Sequence, residues 1–309
     1  MKINILITSS SFIDNEGPHK KFYSDPRFNI TEVPGPNSES KMLELIKNID
    51  GMICGDDFIS KQVILKGSRN RLKVISKYGT GLDKIDLESA KLNNVVVKNC
   101  YGINHETVSE HFFALLLSHY KNIINSSVTN NNLWSRKTGK DLKNKKLGVL
   151  GVGNIGKEII KRAISFNIQC KGFDKNPDID FESKHDFLYS DLNEILIESD
   201  IIALCLSLDD NSKNIINSQT LAQMKKNVTI VNVSRGELVN EDSICEFLLN
   251  NSSASYLTDV LSVEPISNNH KFLSLKNVFI TPHIGSRTSE NVNNQADKAV
   301  KNLLENLNI

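Results

Sequence analysis

The chain has 309 residues, a net charge of +1, 39 % apolar residues and 24 % charged residues, the balance of an ordinary soluble protein of about two domains. Nothing in it calls for nucleic acid or a membrane surface as a partner, and no apolar run is long enough to span a bilayer. The N-terminal MKINILITSS reads as a first strand rather than a secretory signal, and five scattered cysteines without CxxC spacing point to free thiols in a reducing cytoplasm.

In chain order, short β-type runs predict strands at Ile3–Ile7, Asn29–Val33, Gly51–Cys54, Leu72–Ser76 and Val95–Val97. Helical patterns over Lys41–Asn48, Lys61–Gly67 and Leu87–Leu92 lie between them. This alternation implies a parallel sheet covered by helices. A long apolar helix, His105–Tyr120, follows as a candidate bridge between domains or to a partner subunit. From Ile123 to Lys146 the chain is polar, with Lys137, Lys140, Lys143, Lys145 and Lys146 clustered. Without interleaved aromatics this reads as a solvated connector. A second alternating series then predicts six strands, at Leu147–Leu150, Gln169–Phe173, Ile201–Leu206, Thr229–Val233, Ser255–Val260 and Val278–Thr281. The fold class is therefore α/β, with two doubly wound lobes.

The opening of the second series carries the most chemistry. Leu147–Leu150 enters Gly151-Val-Gly153-Asn154-Ile155-Gly156, an amphipathic stretch follows from Lys157 to Phe166, and a second apolar run ends in Asp174. Strand, glycine turn, helix, strand and acid, in that order, make a dinucleotide-binding unit. Gly151 permits the tight turn, Gly153 lets the backbone approach a pyrophosphate, and Gly156 lets helix and strand pack closely. Asp174 suits two ribose hydroxyls and repels a 2′-phosphate, which favours NAD over NADP, although Lys175 beside it softens that repulsion.

Three later strands end in VNVSRGELV around Arg235, LTDVLSVEP around Glu264 and ITPHIGS around His283. In open α/β sheets, ligand groups gather beyond the carboxyl ends of strands. A cation, a proton donor active near neutrality and an acid to orient that donor are what hydride transfer to a 2-keto acid needs. No clustered set of Cys, His and Asp suggests a metal.

These stretches, together with KYGTGLDKID (77–86), GINHETVSEH (102–111) and TPHIGSRT (281–288), make the chain resemble the D-isomer-specific 2-hydroxyacid dehydrogenases over nearly its whole length. The resemblance implies a Rossmann NAD-binding domain over residues 101–284, inserted in a discontinuous flavodoxin-like substrate domain formed by 1–100 and 285–309. It implies Arg235 as the arginine on the substrate carboxylate and carbonyl, His283 as general acid/base, and Glu264 as the acid that hydrogen-bonds His283 and raises its pKa. Val233 and Asp259 join Gly151, Gly153, Asn154, Ile155, Gly156 and Asp174 as cofactor-binding residues, with Asp259 at the nicotinamide carboxamide. Lys77, Gly79, Thr80, Gly81 and Asn104 fall at the substrate, Asn104 doubling as a helix N-cap, while His111 reads as structural rather than catalytic. The site is expected between the lobes and the assembly as a homodimer.

The partner is then a small 2-hydroxy or 2-keto acid, with hydride passing between NAD(H) and its C2. Phosphoglycerate dehydrogenases carry an arginine after the strand corresponding to Met52–Cys54; this chain has Gly55-Asp56-Asp57-Phe58 there. Two carboxylates disfavour a phosphate unless they point to solvent, while Lys77, Lys20, Lys21 and Arg287 are the cations that compensate. The nearest description is phosphoglycerate dehydrogenase-like, with glyoxylate/hydroxypyruvate or D-lactate reductases as the alternative. A non-catalytic NAD(H)-sensing module of the co-repressor type is the alternative of another class, and the complete Arg235, Glu264 and His283 set argues against it. A formate dehydrogenase is disfavoured because Glu264 stands where that branch has glutamine. No serine-feedback module is expected beyond Ile309.

Overall fold

The computed structural model describes residues 2–127, 134 and 136–307. The chain divides into two compact units, Met1–Asn104 with Arg287–Ile309, and His105–Ser286. These crossings lie a few residues after the predicted ones. The first falls at His105 because the helix His105–Tyr120 buries Phe112, Leu115 and Leu116 in the core of the second unit.

In the first unit, strands β1 (Ile3–Ile7), β2 (Phe28–Glu32), β3 (Gly51–Cys54), β4 (Val74–Lys77) and β5 (Val96–Asn99) form a parallel sheet of order β2-β1-β3-β4-β5. That is the flavodoxin-like order. Side chains alternate between two cores: Ile5, Ile7, Ile53 and Val74 enter one, Leu6, Met52, Cys54 and Ile75 the other. A sheet covered on both faces needs apolar residues at both parities, and each fully buried aliphatic side chain contributes roughly 1.5–3 kcal/mol.

Caps set the helix boundaries. The helix predicted over Lys41–Asn48 runs Glu39–Leu45, because the Ser38 hydroxyl accepts from the Lys41 amide and Asn48 turns the chain at φ +60°. Ser60 and Asp86 cap the next two helices in the same way. The returning helix Ser289–Leu307 buries Val292, Ala296, Ala299 and Leu303 along one stripe, and Ser76 Oγ donates to Ala299 O at 2.8 Å.

The second unit contains β6 (Lys146–Leu150), β7 (Gln169–Phe173), β8 (Phe187–Tyr189), β9 (Ile201–Leu204), β10 (Thr229–Asn232), β11 (Ser255–Thr258) and β12 (Val278–Ile280). All are parallel, in the order β12-β11-β10-β9-β6-β7-β8, with the topological switch between β6 and β9. The sheet thus has seven strands where six were predicted. The missed β8 is a three-residue edge strand, too short to show a period. Four of the predicted strands here end one or two residues early, because the chain leaves the ladder before the loops that carry Cys205, Val233, Asp259 and Thr281.

Of the predicted connector, residues 128–133 and 135 lie outside the described residues. Its start is a short helix, Ile123–Ser126, and Lys146 belongs to β6. All five cysteines are free thiols, four of them buried. Burial pushes Cys54, Cys170 and Cys205 up to about 12, far from the thiolate range, which makes them packing residues.

Candidate active site

The nucleotide turn is built as its glycines predict. Gly151 sits at φ +96°, and a Cβ there would lie 2.6 Å from the Leu206 amide nitrogen, so only glycine fits the turn. A Cβ on Gly156 would come within 2.1 Å of Gly151 O, which is the close approach of helix to turn. Gly153 differs, since a Cβ there meets nothing within 4 Å. It lies at the N-cap of the helix Asn154–Ser165, and no side chain caps that terminus. Open space in front of unsatisfied amides is the cradle a pyrophosphate requires. Gly153→Ala is therefore expected to fold with unchanged Tm while its methyl weakens NADH binding about tenfold, roughly 1.4 kcal/mol. Fluorescence titration beside a melting curve checks this, and equal NADH affinity would remove Gly153 from the cofactor site.

Asp174 stands at the end of β7 with Oδ2 accepting from the Val152 amide at 2.8 Å and Oδ1 from the Asn176 amide at 2.9 Å. Each oxygen keeps a lone pair for a ribose hydroxyl. Lys175 is turned to Asp209 at 2.8 Å, and that ammonium, with the Ser212 amide, holds the Asp209 carboxyl down at about 2. The cation beside Asp174 is thus paired with another carboxylate, which sharpens the preference for an unphosphorylated ribose.

Arg235, Glu264 and His283 sit on the loops after three adjacent parallel strands, β10, β11 and β12. Register places Asn232 beside Thr258 and Thr258 beside Ile280, so the three loops leave the sheet at one level. Asn232, with 0 % exposure, shapes the first loop: its Nδ2 donates to Arg235 O at 2.9 Å and its Oδ1 accepts from the Ser234 amide at 3.1 Å. Arg235 is half-buried, and its Nη1 donates to Ser234 O at 2.8 Å. Gly236 then presses on the second loop, where an added Cβ would lie 2.0 Å from the Leu261 carbonyl carbon. In that second loop the Leu261 amide donates to Glu264 Oε1 at 2.9 Å. The other oxygen, Oε2, is 2.8 Å from His283 Nδ1. An ionised carboxylate only accepts, so Nδ1 carries the proton and Nε2 becomes the ring atom that exchanges one.

His283 occupies the left-handed region at φ +54°, a conformation costing about 1–3 kcal/mol outside glycine. Asp259 holds it there. Asp259 O accepts from the His283 amide at 2.9 Å, Oδ1 from the Ile284 amide at 2.9 Å, and Oδ2 from the Gly285 amide at 2.7 Å. Burial pushes this carboxyl up, but hydrogen bonds from His111, Thr281 and Ile284 outweigh it and hold the group below the usual carboxylate range. At 3 % exposure Asp259 is first a brace for the third loop. Its predicted contact with the nicotinamide carboxamide rests on Oδ2, which carries a single backbone donor. Val233, also predicted at the cofactor, is buried at the end of β10.

The substrate residues predicted in the first unit gather at the carboxyl ends of β3 and β4. Gly79 turns at φ +117°, its carbonyl accepts from the Cys100 amide at 2.8 Å, and Asn99 Nδ2 donates to Thr80 O at 2.6 Å, which shapes the loop through Gly81. Asn104 immediately precedes the helix His105–Tyr120. Lys77 is buried, with Nζ donating to Gly55 O and to Asp56 Oδ1, both at 2.6 Å. Asp57 does not point to solvent. It is 1 % exposed and accepts from Thr8 Oγ1, the Gly55 amide and both the amide and side chain of Asn37. It anchors the Gly35–Asn37 turn to β3. Lys20 and Arg287 are also engaged, with Ile13 O and Ser11 Oγ. Asn232 was missed as a contributor; an asparagine at the last position of an otherwise apolar strand was the available signal for it.

Residues 113–285 match the NAD-binding domain of the D-isomer specific 2-hydroxyacid dehydrogenases. A hydroxypyruvate reductase of Thermotoga maritima is 32 % identical over 277 residues, covering 88 % of this chain and 89 % of the relative. A D-3-phosphoglycerate dehydrogenase of Methanocaldococcus jannaschii is 34 % identical over 264 residues, 84 % of this chain but 50 % of that longer relative. A crystal structure of a Thermus thermophilus protein has a TM-score of 0.87 at 26 % identity, covering 99 % of this chain and 97 % of its own. No helix among the described residues is long and apolar enough to cross a membrane. With the family's nucleotide turn built on β6 and its sequence matched over most of the length, this chain belongs to the D-isomer specific 2-hydroxyacid dehydrogenase family and is an NAD-dependent oxidoreductase of 2-hydroxy acids.

Proposed function

We propose that the chain reduces small unphosphorylated 2-keto acids of the hydroxypyruvate and glyoxylate type, with His283 as the acid/base, Glu264 as its orienting carboxylate and Arg235 as the cation on substrate. The observation that carries the proposal is the 2.8 Å contact of His283 Nδ1 with Glu264, on loops that abut the Arg235 turn. Bound NADH supplies the hydride to C2. The Arg235 guanidinium holds the carboxylate and polarises the carbonyl. Protonated His283, its charge balanced by Glu264, gives the Nε2 proton to the developing alkoxide, and neutral His283 takes it back in oxidation. The amides of the Gly79–Gly81 turn, with Thr80 and Asn104, are assigned to the substrate carboxylate, and Val233 and Asp259 to the nicotinamide end.

The absence of phosphate from the substrate rests on Asp56. A phosphorylated keto acid needs uncompensated cationic charge, and the buried Lys77 ammonium is already neutralised by the Asp56 carboxylate at 2.6 Å. NADH oxidation against phosphohydroxypyruvate, hydroxypyruvate, glyoxylate, pyruvate and 2-oxoglutarate is expected to show the unphosphorylated acids turned over best. Asp56→Asn is expected to raise kcat/KM for phosphohydroxypyruvate up to about fivefold, on the scale of a released half-exposed ion pair. Preference for phosphohydroxypyruvate in the unaltered chain would overturn this substrate assignment. The five free thiols support a cytoplasmic location, and the exposed Ile123 and Ile124 after the long helix support a homodimer.

A further inference from the structure

The helix His105–Tyr120 brings one titratable side chain to the brace behind His283. His111 Nε2 lies 3.0 Å from Thr281 Oγ1 and 3.2 Å from Asp259 Oδ1. The Thr281 hydroxyl has a single proton, which it donates to Asp259 Oδ1 at 2.6 Å. Its oxygen must therefore accept from His111, which fixes the proton of His111 on Nε2. That N–H joins two acceptors, the hydroxyl and the carboxylate, and both belong to the brace.

Asp259 in turn collects three consecutive amides, those of His283, Ile284 and Gly285. The carboxylate takes the last two, successive amides that form a nest around one anion, while the His283 amide is held by the Asp259 backbone carbonyl, and His283 at φ +54° supplies the left-handed residue of the turn. The packing is tight: a Cβ on Gly285 would lie 2.8 Å from Asp259 Oδ2 and 3.4 Å from His111 Cδ2. If the His111 donor is lost, Thr281 and the carboxylate regain rotational freedom, and the nest no longer has one arrangement.

The geometry points to His111 as a positioning residue that acts through Thr281 and Asp259 to fix the backbone, and hence the ring, of His283. This rests on the reading of His283 as the acid/base. The helix is thus more than core packing, since it delivers the donor that completes a buried polar network. A displacement of the ring by an ångström lowers the chemical step by about 100-fold without touching cofactor binding.

The test uses the full-length chain and four single variants, His111→Leu, His111→Gln, Thr281→Val and His283→Ala, with the His111→Leu/Thr281→Val double variant. His111→Leu and Thr281→Val are each expected to lower kcat by about 10- to 100-fold, with KM for NADH within about twofold of the parent. His111→Gln, which keeps a side-chain N–H donor, is expected to recover most of kcat, and the double variant to lose no more than the worse single one. Unchanged kcat in His111→Leu overturns the inference, as do losses that multiply in the double variant or follow a lowered Tm without rescue by Gln. His283→Ala separates this from the premise. Activity retained in that variant removes the acid/base assignment itself, whereas its loss beside a fully active His111→Leu removes only the role of His111.

Discussion

His283→Ala is expected to lower kcat by about 100- to 10,000-fold, the range for removing a positioned general acid. NADH affinity is expected to hold, because the nucleotide turn at Gly151–Gly156 is built from backbone on β6 and the helix after it. The loss separates from KM because the proton reaches the substrate oxygen only as the alkoxide develops, so ground-state binding does not use it. Glu264→Gln is the companion variant. It keeps a side-chain oxygen for His283 Nδ1–H but loses the negative charge that balances an imidazolium, and it is expected to fall between the parent and His283→Ala. Steady-state NADH oxidation with saturating keto acid, beside fluorescence titration of NADH, reads both quantities. A drop of less than tenfold in His283→Ala would exclude His283 as the proton donor.

Arg235→Lys is the second large effect, although the charge is conserved. A guanidinium presents a rigid fork of donors, while an ammonium is a compact, strongly hydrated point charge. Arg235 is half-buried and its Nη1 is already tied to Ser234 O, so the direction of the fork is set by the turn that Asn232 shapes. The shorter, freely rotating lysine cannot reproduce that direction. Losing a buried charge-assisted contact costs about 3–4 kcal/mol, which is roughly 100- to 1,000-fold in kcat/KM. The loss is expected to fall on keto-acid KM and kcat together while NADH affinity stays constant. Near-normal kcat/KM in Arg235→Lys would mean that the substrate carboxylate is held elsewhere.

How much of this was legible in the sequence follows from the range of each interaction. The β6 turn and helix were legible because strand, glycines, helix and acid lie within one continuous segment, each reporting its own backbone demand. Arg235, Glu264 and His283 gained meaning from topology, since only a parallel sheet brings the ends of β10, β11 and β12 together. The short β8 left no period to read. The pairing of Asp56 with Lys77 and the burial of Asp57 were not legible either: an acid in a loop carries no mark of whether its partner is solvent, an ammonium or four hydrogen-bond donors. His111 was read as structural because its partners, Asp259 and Thr281, are remote in sequence and no local pattern connects them.

The first unit is assembled from both ends of the sequence, which bears on how it forms during synthesis. Leu303 and Leu307 fill the space above Gly51 on β3, and Ala296, Ala299 and Leu303 complete the core that Ile5, Ile7, Ile53 and Val74 begin. Until the helix Ser289–Leu307 has left the ribosome, that face of the sheet has no cover, while the second unit already holds all seven of its strands. Nascent chains are therefore expected to complete the cofactor unit first and to present an apolar sheet face to chaperones in the interval. A protease that trims this helix would undo the first unit selectively, leaving the NAD-binding unit as a remnant.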